Sequence, residues 1–230
     1  MKIAILGATS HIAKNIVYHF QDEPQVSLFL YARDQGAVHA FLRAIGGRSA
    51  AVGGFDAFQF SAYDLIVNCV GIADPRKQAE AGIDLFHLTE HFDNLVIDYL
   101  ANHEETVYIN FSSGAVYGTT FDVGVTEDSI ANIVVNDISP TDYYRIAKLN
   151  AEAKHRAMPD RRIIDLRIFS FFSRFIDLSS RFLVSEMVRS VAKHQAFVTR
   201  RDDVVRDYVA PADLCDLLTT CAESKGVNKA

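Results

Sequence analysis

The sequence predicts an α/β fold built on one doubly wound parallel sheet. Short apolar runs recur along the chain, and between them lie longer segments with apolar residues three and four positions apart, such as Leu85, Leu88 and Phe92. The short runs are typical of strands buried on both faces, and the longer segments are typical of amphipathic helices. Strands that alternate with helices predict right-handed crossovers and helices on both faces of the sheet. The predicted strands are residues 2–6, 27–31, 65–70, 107–111 and 163–169.

The length of the chain predicts one domain. A chain of 230 residues, 49% of them hydrophobic, has material for one full core and is short for two domains. A weaker stretch at residues 49–52, bracketed by paired glycines, predicts a third strand. Apolar periodicity also predicts helices around residues 183–193 and 212–222.

Composition argues against several partners. Lys and Arg total 23 against 29 Asp and Glu, a net charge of −6, which is not the cationic field that nucleic acid needs. No apolar run approaches the roughly 18 residues of a membrane span, and the N-terminus lacks a signal-peptide pattern. Cys69, Cys215 and Cys221 lie in apolar stretches, as expected of buried thiols in a reducing compartment. These features favour a cytoplasmic protein.

The first predicted strand runs into a segment with the spacing of a dinucleotide-binding loop. Residues 7–13 read Gly-Ala-Thr-Ser-His-Ile-Ala, with small residues at the three positions where a Rossmann loop places glycine. These positions provide a tight turn, a close approach to pyrophosphate and a small residue where helix meets sheet. The helix N-terminus then offers free N–H groups to phosphates. The alternative is a turn that binds nothing, and His11 is expected to be solvated or capping.

The residues after the second predicted strand bear on the choice of cofactor. This strand ends without the acidic residue that binds the ribose of NAD, and Arg33 and Asp34 follow it. An Arg at this place can pair with a 2′-phosphate, so Arg33 favours NADP over NAD. The alternative is that Asp34 neutralises Arg33 in a surface ion pair.

Tyr144 and Lys148 form a candidate proton-transfer pair. They lie four residues apart in a predicted helix and therefore on one face. A free Tyr has a pKa of about 10, too high for efficient proton transfer at neutral pH, and a nearby ammonium favours the phenolate. Tyr143 is expected to point elsewhere. The alternative is an ordinary surface pair.

Together these motifs resemble the extended short-chain dehydrogenases/reductases, a family that includes nucleotide-sugar epimerases, dehydratases and ketoreductases. The resemblance spans nearly the whole chain. It rests on Ser-Ser at 112–113, Ala-Val-Tyr-Gly at 115–118, Tyr-x-x-x-Lys at 144–148, Leu-Arg-Ile-Phe at 166–169 and Arg-Asp-Tyr-Val at 206–209. It implies one NAD(P)-binding Rossmann domain over residues 1–230, with residues about 170–210 forming a small C-terminal substrate lobe.

The resemblance also implies roles for individual residues. Tyr144 would transfer the proton, Lys148 would bind the nicotinamide ribose, and Ser113 would hydrogen-bond the reacting oxygen of the substrate. Ser113 is preferred to Ser112 because it lies four residues before Tyr117. Further candidates are Arg206 for a substrate phosphate, with a structural role as the alternative, and Asn94 for the core or a water relay. The predicted cofactor-binding set is Gly7, Thr9, Ser10, His11, Ile12, Arg33, Asn68, Val70, Gly71, Tyr144, Lys148 and Phe171.

Three functions follow as hypotheses. The first is NADP-dependent reduction of a keto sugar on a nucleotide diphosphate, because dissociable NADPH drives net reduction. The second is epimerisation or dehydration of a nucleotide sugar. The third is a non-catalytic dinucleotide-binding module, which the replaced loop glycines and the short region after Lys148 favour.

Two further expectations concern assembly and metals. The helices at residues 85–100 and 142–156 carry enough apolar residues to predict a homodimer. His87 and His91, with Glu90 between them, have the spacing of a zinc-binding helix. A solvated helix face explains these residues more simply, and no metal site is predicted.

Overall fold

Strands and helices alternate along the chain in a computed structural model that describes residues 1–48, 50–118, 124–126, 128–199, 201, 205–224 and 226–230. The strands are β1 (Lys2–Leu6), β2 (Ser27–Tyr31), β3 (Ala51–Gly53), β4 (Leu65–Asn68), β5 (Val107–Ser113) and β6 (Ile163–Ile168). The helices are α1 (His11–Phe20), α2 (Gln35–Ala44), α3 (Pro75–Ala81), α4 (Asp84–Leu100), α5 (Tyr143–Arg156), α6 (Leu183–Ala192) and α7 (Pro211–Glu223).

All six strands form one parallel sheet in the order β3-β2-β1-β4-β5-β6. The chain builds outward from β1 in one direction as far as β3, and then returns to place β4 on the other side of β1. Such a reversal leaves a crevice at the carboxyl ends of the two central strands, where doubly wound sheets bind ligands. The predicted fold class, a Rossmann-type doubly wound parallel sheet, is confirmed.

Burial on both faces explains why the strands are apolar throughout. Ile3 and Ile5 of β1 point into a core formed with α1 and α7, whereas Ala4 and Leu6 point into a second core formed with α4. The same alternation continues in β4 and β5. Because successive side chains of a strand face opposite sides, both sets must be apolar.

Strand and helix ends differ modestly from the predicted ranges. The strand predicted at 65–70 ends at Asn68, whose Oδ1 accepts a hydrogen bond from the N–H of Val70 at 3.0 Å and turns the chain. The strand predicted at 49–52 is Ala51–Gly53, and Ser49 lies outside the described residues. β5 continues two residues further than predicted, to Ser113. The helices predicted at 183–193 and 212–222 are α6 and α7.

The described residues contain no helix that is long and apolar enough to cross a membrane. Cys69, Cys215 and Cys221 are free thiols, and burial raises the pKa of each. The segment from residue 170 to 210 contributes α6 and one bridge between Phe171 and Val209. A substrate lobe in this segment stays a prediction.

Candidate active site

The candidate residues follow the carboxyl ends of five strands and therefore share one edge of the sheet. Gly7 follows β1, Arg33 follows β2, Asn68 ends β4, Ser113 ends β5 and Phe171 follows β6. β1 and β4, where the strand order reverses, are neighbours at the middle of this edge. This is the place at which doubly wound sheets bind nucleotides.

Gly7 makes the turn out of β1 in a way that another residue would not. Its φ is +76°, and its N–H donates to the carbonyl of Tyr31 at 2.9 Å. A Cβ at this position would lie 3.0 Å from the carbonyl of Cys69 and from the nitrogen of Val70. Both the backbone conformation and the close approach of two strand ends therefore require glycine.

Ser10 caps helix α1 and leaves two N–H groups at its start available. Ser10 Oγ accepts a hydrogen bond from the N–H of Ala13 at 3.3 Å, and its carbonyl accepts one from Lys14. No described residue accepts a hydrogen bond from the N–H of His11 or Ile12. Together with the positive end of the helix dipole, these two groups can hold a phosphate. Thr9 is exposed in the same turn.

His11 is half-buried and is not the helix cap, so the prediction of a solvated or capping residue is met only in part. Its Nε2 lies 2.7 Å from Ser173 Oγ, and its ring lies 5.0 Å from the ring of Phe171. Asn15 Nδ2 donates to the same Ser173 oxygen at 2.8 Å. Burial, with a smaller contribution from the charge of Lys14, lowers the pKa of His11 to about 4. The prediction missed Ser173 because it lies 162 residues away in sequence.

Arg33 is exposed and makes no ion pair with another described residue. Asp34, the alternative partner, caps α2 instead, because its Oδ1 accepts a hydrogen bond from the N–H of Ala37 at 2.9 Å. The cation just beyond β2 is therefore available to a ligand.

Asn68 faces the core rather than the crevice. Its Nδ2 donates to the hydroxyl of Tyr108 at 3.1 Å, and the residue is 3% exposed. The predicted contact of Asn68 with a cofactor would therefore have to come from its backbone. Gly71 is exposed and lies close to Lys148, whose Nζ would be 3.9 Å from a Cβ at Gly71.

Ser113, Tyr144 and Lys148 come together where β5 meets α5. The hydroxyl of Ser113 lies close enough to the phenol of Tyr144 to oppose the rise of its pKa, and Ser113 Oγ accepts a hydrogen bond from the N–H of Ala115 at 3.1 Å. Lys148 is 5% exposed, and its Nζ donates to the carbonyl of Phe111 at 2.7 Å. Ser112, in contrast, points away and donates to Glu152 Oε1 at 2.5 Å.

Burial is the largest influence on the pKa values of Tyr144 and Lys148. It raises the pKa of Tyr144, and the hydrogen bond from Ser113 opposes it in part. Burial also lowers the pKa of Lys148, opposed by the charges of Asp93 and Asp165. Lys148 is not among the causes of the Tyr144 shift, so the expectation that it brings the Tyr144 pKa down is not met. Tyr143 does point elsewhere, with its ring 5.6 Å from that of Phe86.

Three further residues stand beside this group and were not predicted to act there. Glu152 accepts hydrogen bonds from Arg167 Nε at 3.1 Å and Nη2 at 2.6 Å, and Arg167 Nη1 donates to the hydroxyl of Tyr117 at 2.5 Å. The spacing of Glu152, four residues after Lys148, could have indicated the shared helix face.

Several other candidates lie apart from the group. Arg206 is exposed and makes no hydrogen bond or ion pair with a described residue. Asn94 is exposed and accepts a hydrogen bond from Lys154 at 2.7 Å, so the predicted core role is wrong for Asn94, and its neighbour Asp93 is the buried residue. His87 pairs loosely with Asp84 at 3.6 Å. Across the described ranges, no three His, Cys, Asp or Glu residues form a group that could hold a metal ion.

Comparisons with known proteins identify a family and similar folds. The model of the NAD dependent epimerase/dehydratase family matches residues 3–229. No relative was found among the curated proteins. The chain is similar to a UDP-glucose 4-epimerase from Thermotoga maritima with UDP-glucose, at 17% identity and a TM-score of 0.81, covering 100% of this chain and 75% of that one.

Two other solved structures share the fold at similar distance. A UDP-N-acetylglucosamine 4-epimerase from Methanobrevibacter ruminantium, in complex with UDP-N-acetylmuramic acid, has 15% identity, a TM-score of 0.80 and coverage of 99% and 74%. A dTDP-glucose 4,6-dehydratase from Bacillus anthracis, in complex with NAD, has 14% identity, a TM-score of 0.74 and coverage of 99% and 73%. The chain thus spans about three quarters of the length of these structures.

Proposed function

Because the chain belongs to the NAD dependent epimerase/dehydratase family, we propose that it is an NAD-dependent epimerase of nucleotide-diphosphate sugars. The observation that carries the proposal is the contact of Ser113 with Tyr144, beside buried Lys148, at the crevice that Gly7 opens. Similar structures with UDP-glucose and UDP-glucuronic acid support the substrate class. The dTDP-glucose 4,6-dehydratase and the UDP-glucuronic acid structure, both in complex with NAD, support the cofactor.

The residues at this edge fit a dinucleotide. The turn at Gly7 leaves no room for a side chain, and the N–H groups of His11 and Ile12 would hold the pyrophosphate. Lys148, beside Gly71, would hold the nicotinamide ribose. Bound NAD supplies reversible hydride transfer at the sugar carbon that is inverted.

Tyr144 and Ser113 would carry out the proton transfer at the sugar hydroxyl. Tyr144 would take the proton of the sugar hydroxyl as the carbonyl forms and return it as the carbonyl is reduced, so that no proton is gained or lost over a turnover. Ser113 would hydrogen-bond the same oxygen and keep it within reach of Tyr144.

An epimerase agrees with the observations better than the other reactions. Keto-sugar reduction, the first hypothesis from the sequence, consumes NADPH at each turnover and has no specific support from the family or the similar structures. Dehydration is the second candidate, because the family includes dehydratases and one of the three structures described above is a dTDP-glucose 4,6-dehydratase, whereas the other two are 4-epimerases. The predicted homodimer and the choice between NAD and NADP stay predictions.

The test is turnover of UDP-hexoses by matched tyrosine variants. We expect the wild-type protein to interconvert a UDP-hexose and its epimer. We expect Tyr144→Phe to lose on the order of a hundredfold or more in kcat, as general acid–base groups do, while calorimetry shows that NAD binding is retained. Tyr143→Phe, one residue away, is the control and should keep full activity.

Two outcomes would count against the proposal. Wild-type turnover in Tyr144→Phe would remove the proton-transfer role. NAD binding without turnover of any UDP- or dTDP-hexose would favour the non-catalytic module.

A further inference from the structure

We propose that Glu152 is a positioning residue of this active site: it holds the strand end that carries Ser113 in fixed register with the helix that carries Tyr144. The inference rests on the proposed function, because it concerns the same proton-transfer group. The described residues that hydrogen-bond to the carboxylate of Glu152 are Ser112 and Arg167, so Glu152 would act on Tyr144 and Ser113 through their neighbours.

Glu152 lies on the same face of α5 as Tyr144 and Lys148. Tyr144, Lys148 and Glu152 recur every four residues and so line one face of the helix. Lys148 is 5% exposed and Glu152 is 3% exposed, although long charged side chains rarely stand fully buried unless paired. The face that presents the catalytic pair thus continues into a buried carboxylate.

The carboxylate of Glu152 binds residues of two neighbouring strands. Glu152 Oε1 accepts the hydroxyl hydrogen of Ser112, which precedes Ser113 in β5, at 2.5 Å. Its two oxygens also accept hydrogen bonds from Nε and Nη2 of Arg167 in β6. One side chain of α5 therefore ties two adjacent strands at the ends that border the crevice.

Arg167 connects Glu152 to the turn that follows Ser113. Arg167 donates from Nη1 to the hydroxyl of Tyr117 at 2.5 Å, and its guanidinium lies 4.8 Å from the centre of that ring. Tyr117 closes the short 3-10 turn Gly114–Tyr117, and a Cβ at Gly114 would overlap the ring of Phe169. The turn is thereby fixed on both sides, and Ser113 is fixed with it.

Such an arrangement matters because the Ser113–Tyr144 contact joins two different elements. Small displacements of a catalytic group can cost on the order of a hundredfold in rate. A buried carboxylate with three hydrogen-bond donors from two strands is a stiff connection, because each donor would otherwise be left partly unpaired.

The experiment uses Glu152→Gln, which keeps the shape and removes the charge, with Glu104→Gln as the control. Glu104 forms an exposed pair with Arg161 at 2.8 Å, so this control makes the same chemical change at an ion pair outside the site. For each protein, the pH titration of phenolate absorbance is compared with that of the same protein carrying Tyr144→Phe. The difference isolates Tyr144 from the other tyrosines and needs neither cofactor nor substrate.

We expect the Tyr144 difference titration to move to higher pH in Glu152→Gln, because the hydrogen bond from Ser113 that opposes burial is weakened. We also expect kcat to fall about ten- to a hundredfold, with the NAD dissociation constant unchanged. Glu104→Gln should match the wild type in all three. A folded Glu152→Gln protein with the wild-type Tyr144 titration would overturn the proposal, whatever its thermal stability.

A second variant covers a failure to fold. Tyr117→Phe removes only the hydroxyl that Arg167 binds, and it should shift the Tyr144 titration in the same direction by less. An unshifted titration there would overturn the proposal in that case. If the wild-type protein turns over no nucleotide sugar, the proposed function fails, and the titration still decides the positioning role.

Discussion

The protonation of single residues at this site depends more on burial than on residue type. His11 would be partly charged near neutral pH in water, but burial against Ser173 and Phe171 lowers its pKa to about 4. Burial similarly raises the pKa of Tyr144 and lowers that of Lys148. Arg33, in contrast, is exposed and makes no ion pair with another described residue. Arg33 is therefore the clearest candidate for binding an anionic group of a ligand.

We expect Arg33→Ala to weaken the binding of NADP about tenfold or more and to leave the binding of NAD nearly unchanged, because only NADP carries the 2′-phosphate. Isothermal titration with each dinucleotide checks this. Arg43→Ala is the control and should change neither affinity, because Arg43 is also exposed but lies in the last turn of α2. Equal losses for both dinucleotides would show that Arg33 does not read the 2′-phosphate.

The sequence predicts local spacing at the residue scale but misses long-range partners. Tyr144 and Lys148 could be paired because a helix sets their distance, and Ser113 could be chosen by the resemblance because it lies four residues before Tyr117. Ser173 and Arg167 could not, since each reaches its partner only after the sheet has formed. Asn68 shows a related error, because a polar residue at a strand end can turn inward to a buried hydroxyl.

The turn between β1 and α1 is the element whose geometry most constrains the site. Its sequence departs from three glycines, yet Ser10 serves as the helix cap and Ala13 is fully buried at the helix start. Only Gly7 combines a positive φ with a contact that excludes a side chain. This explains why one glycine suffices for the turn while two others are replaced.

Gly7→Ala should therefore cost more than conformational strain alone. Forcing a Cβ into the left-handed region costs roughly 1–2 kcal/mol, and contact with the backbone of Cys69 and Val70 adds to it. Gly46→Ala is the matched control, because Gly46 has φ +65° and no heavy atom lies within 4 Å of the place that its Cβ would take. Urea denaturation should show a larger loss of unfolding free energy for Gly7→Ala than for Gly46→Ala. Equal losses would mean that the strand ends separate freely.

The strands were predictable as elements because their two faces meet two different cores. Ile3 and Ala4 point in opposite directions and are both fully buried, which leaves an apolar run without alternation in the sequence. The ends of strands were less predictable, because side chains such as Asn68 decide them through tertiary hydrogen bonds.

At the scale of the whole molecule, a buried charged network joins both helices of one face to the sheet. His155 of α5 lies 2.7 Å from Asp93 of α4 and 2.9 Å from Asp165 of β6. Lys154 and Arg156 pair with the same two carboxylates at 2.6 Å and 2.8 Å. This network was not predictable, since charged residues in a sequence usually indicate solvated faces.

The network makes stability depend on pH in a defined direction. Burial lowers the pKa of His155, but hydrogen bonds and charges from Asp165 and Asp93 outweigh it and raise the pKa from 6.5 to about 9. The folded state therefore binds this proton more tightly than the unfolded state does. The resulting stabilisation is fully present below pH 6.5 and is lost as the pH rises through about 9.

We expect His155→Gln to lower the unfolding free energy by about 3–5 kcal/mol at pH 6.5, because two buried carboxylates lose their shared cation. The difference from wild type should shrink as the pH rises toward 9, since the wild-type imidazolium loses its proton there and the variant has none to lose. Chemical denaturation across this range measures it. His39→Gln, at an exposed position on α2, is the control and should stay close to wild type throughout. A His155→Gln difference that does not change with pH would mean that His155 is neutral in the folded protein, and that Lys154 and Arg156 alone balance the two carboxylates.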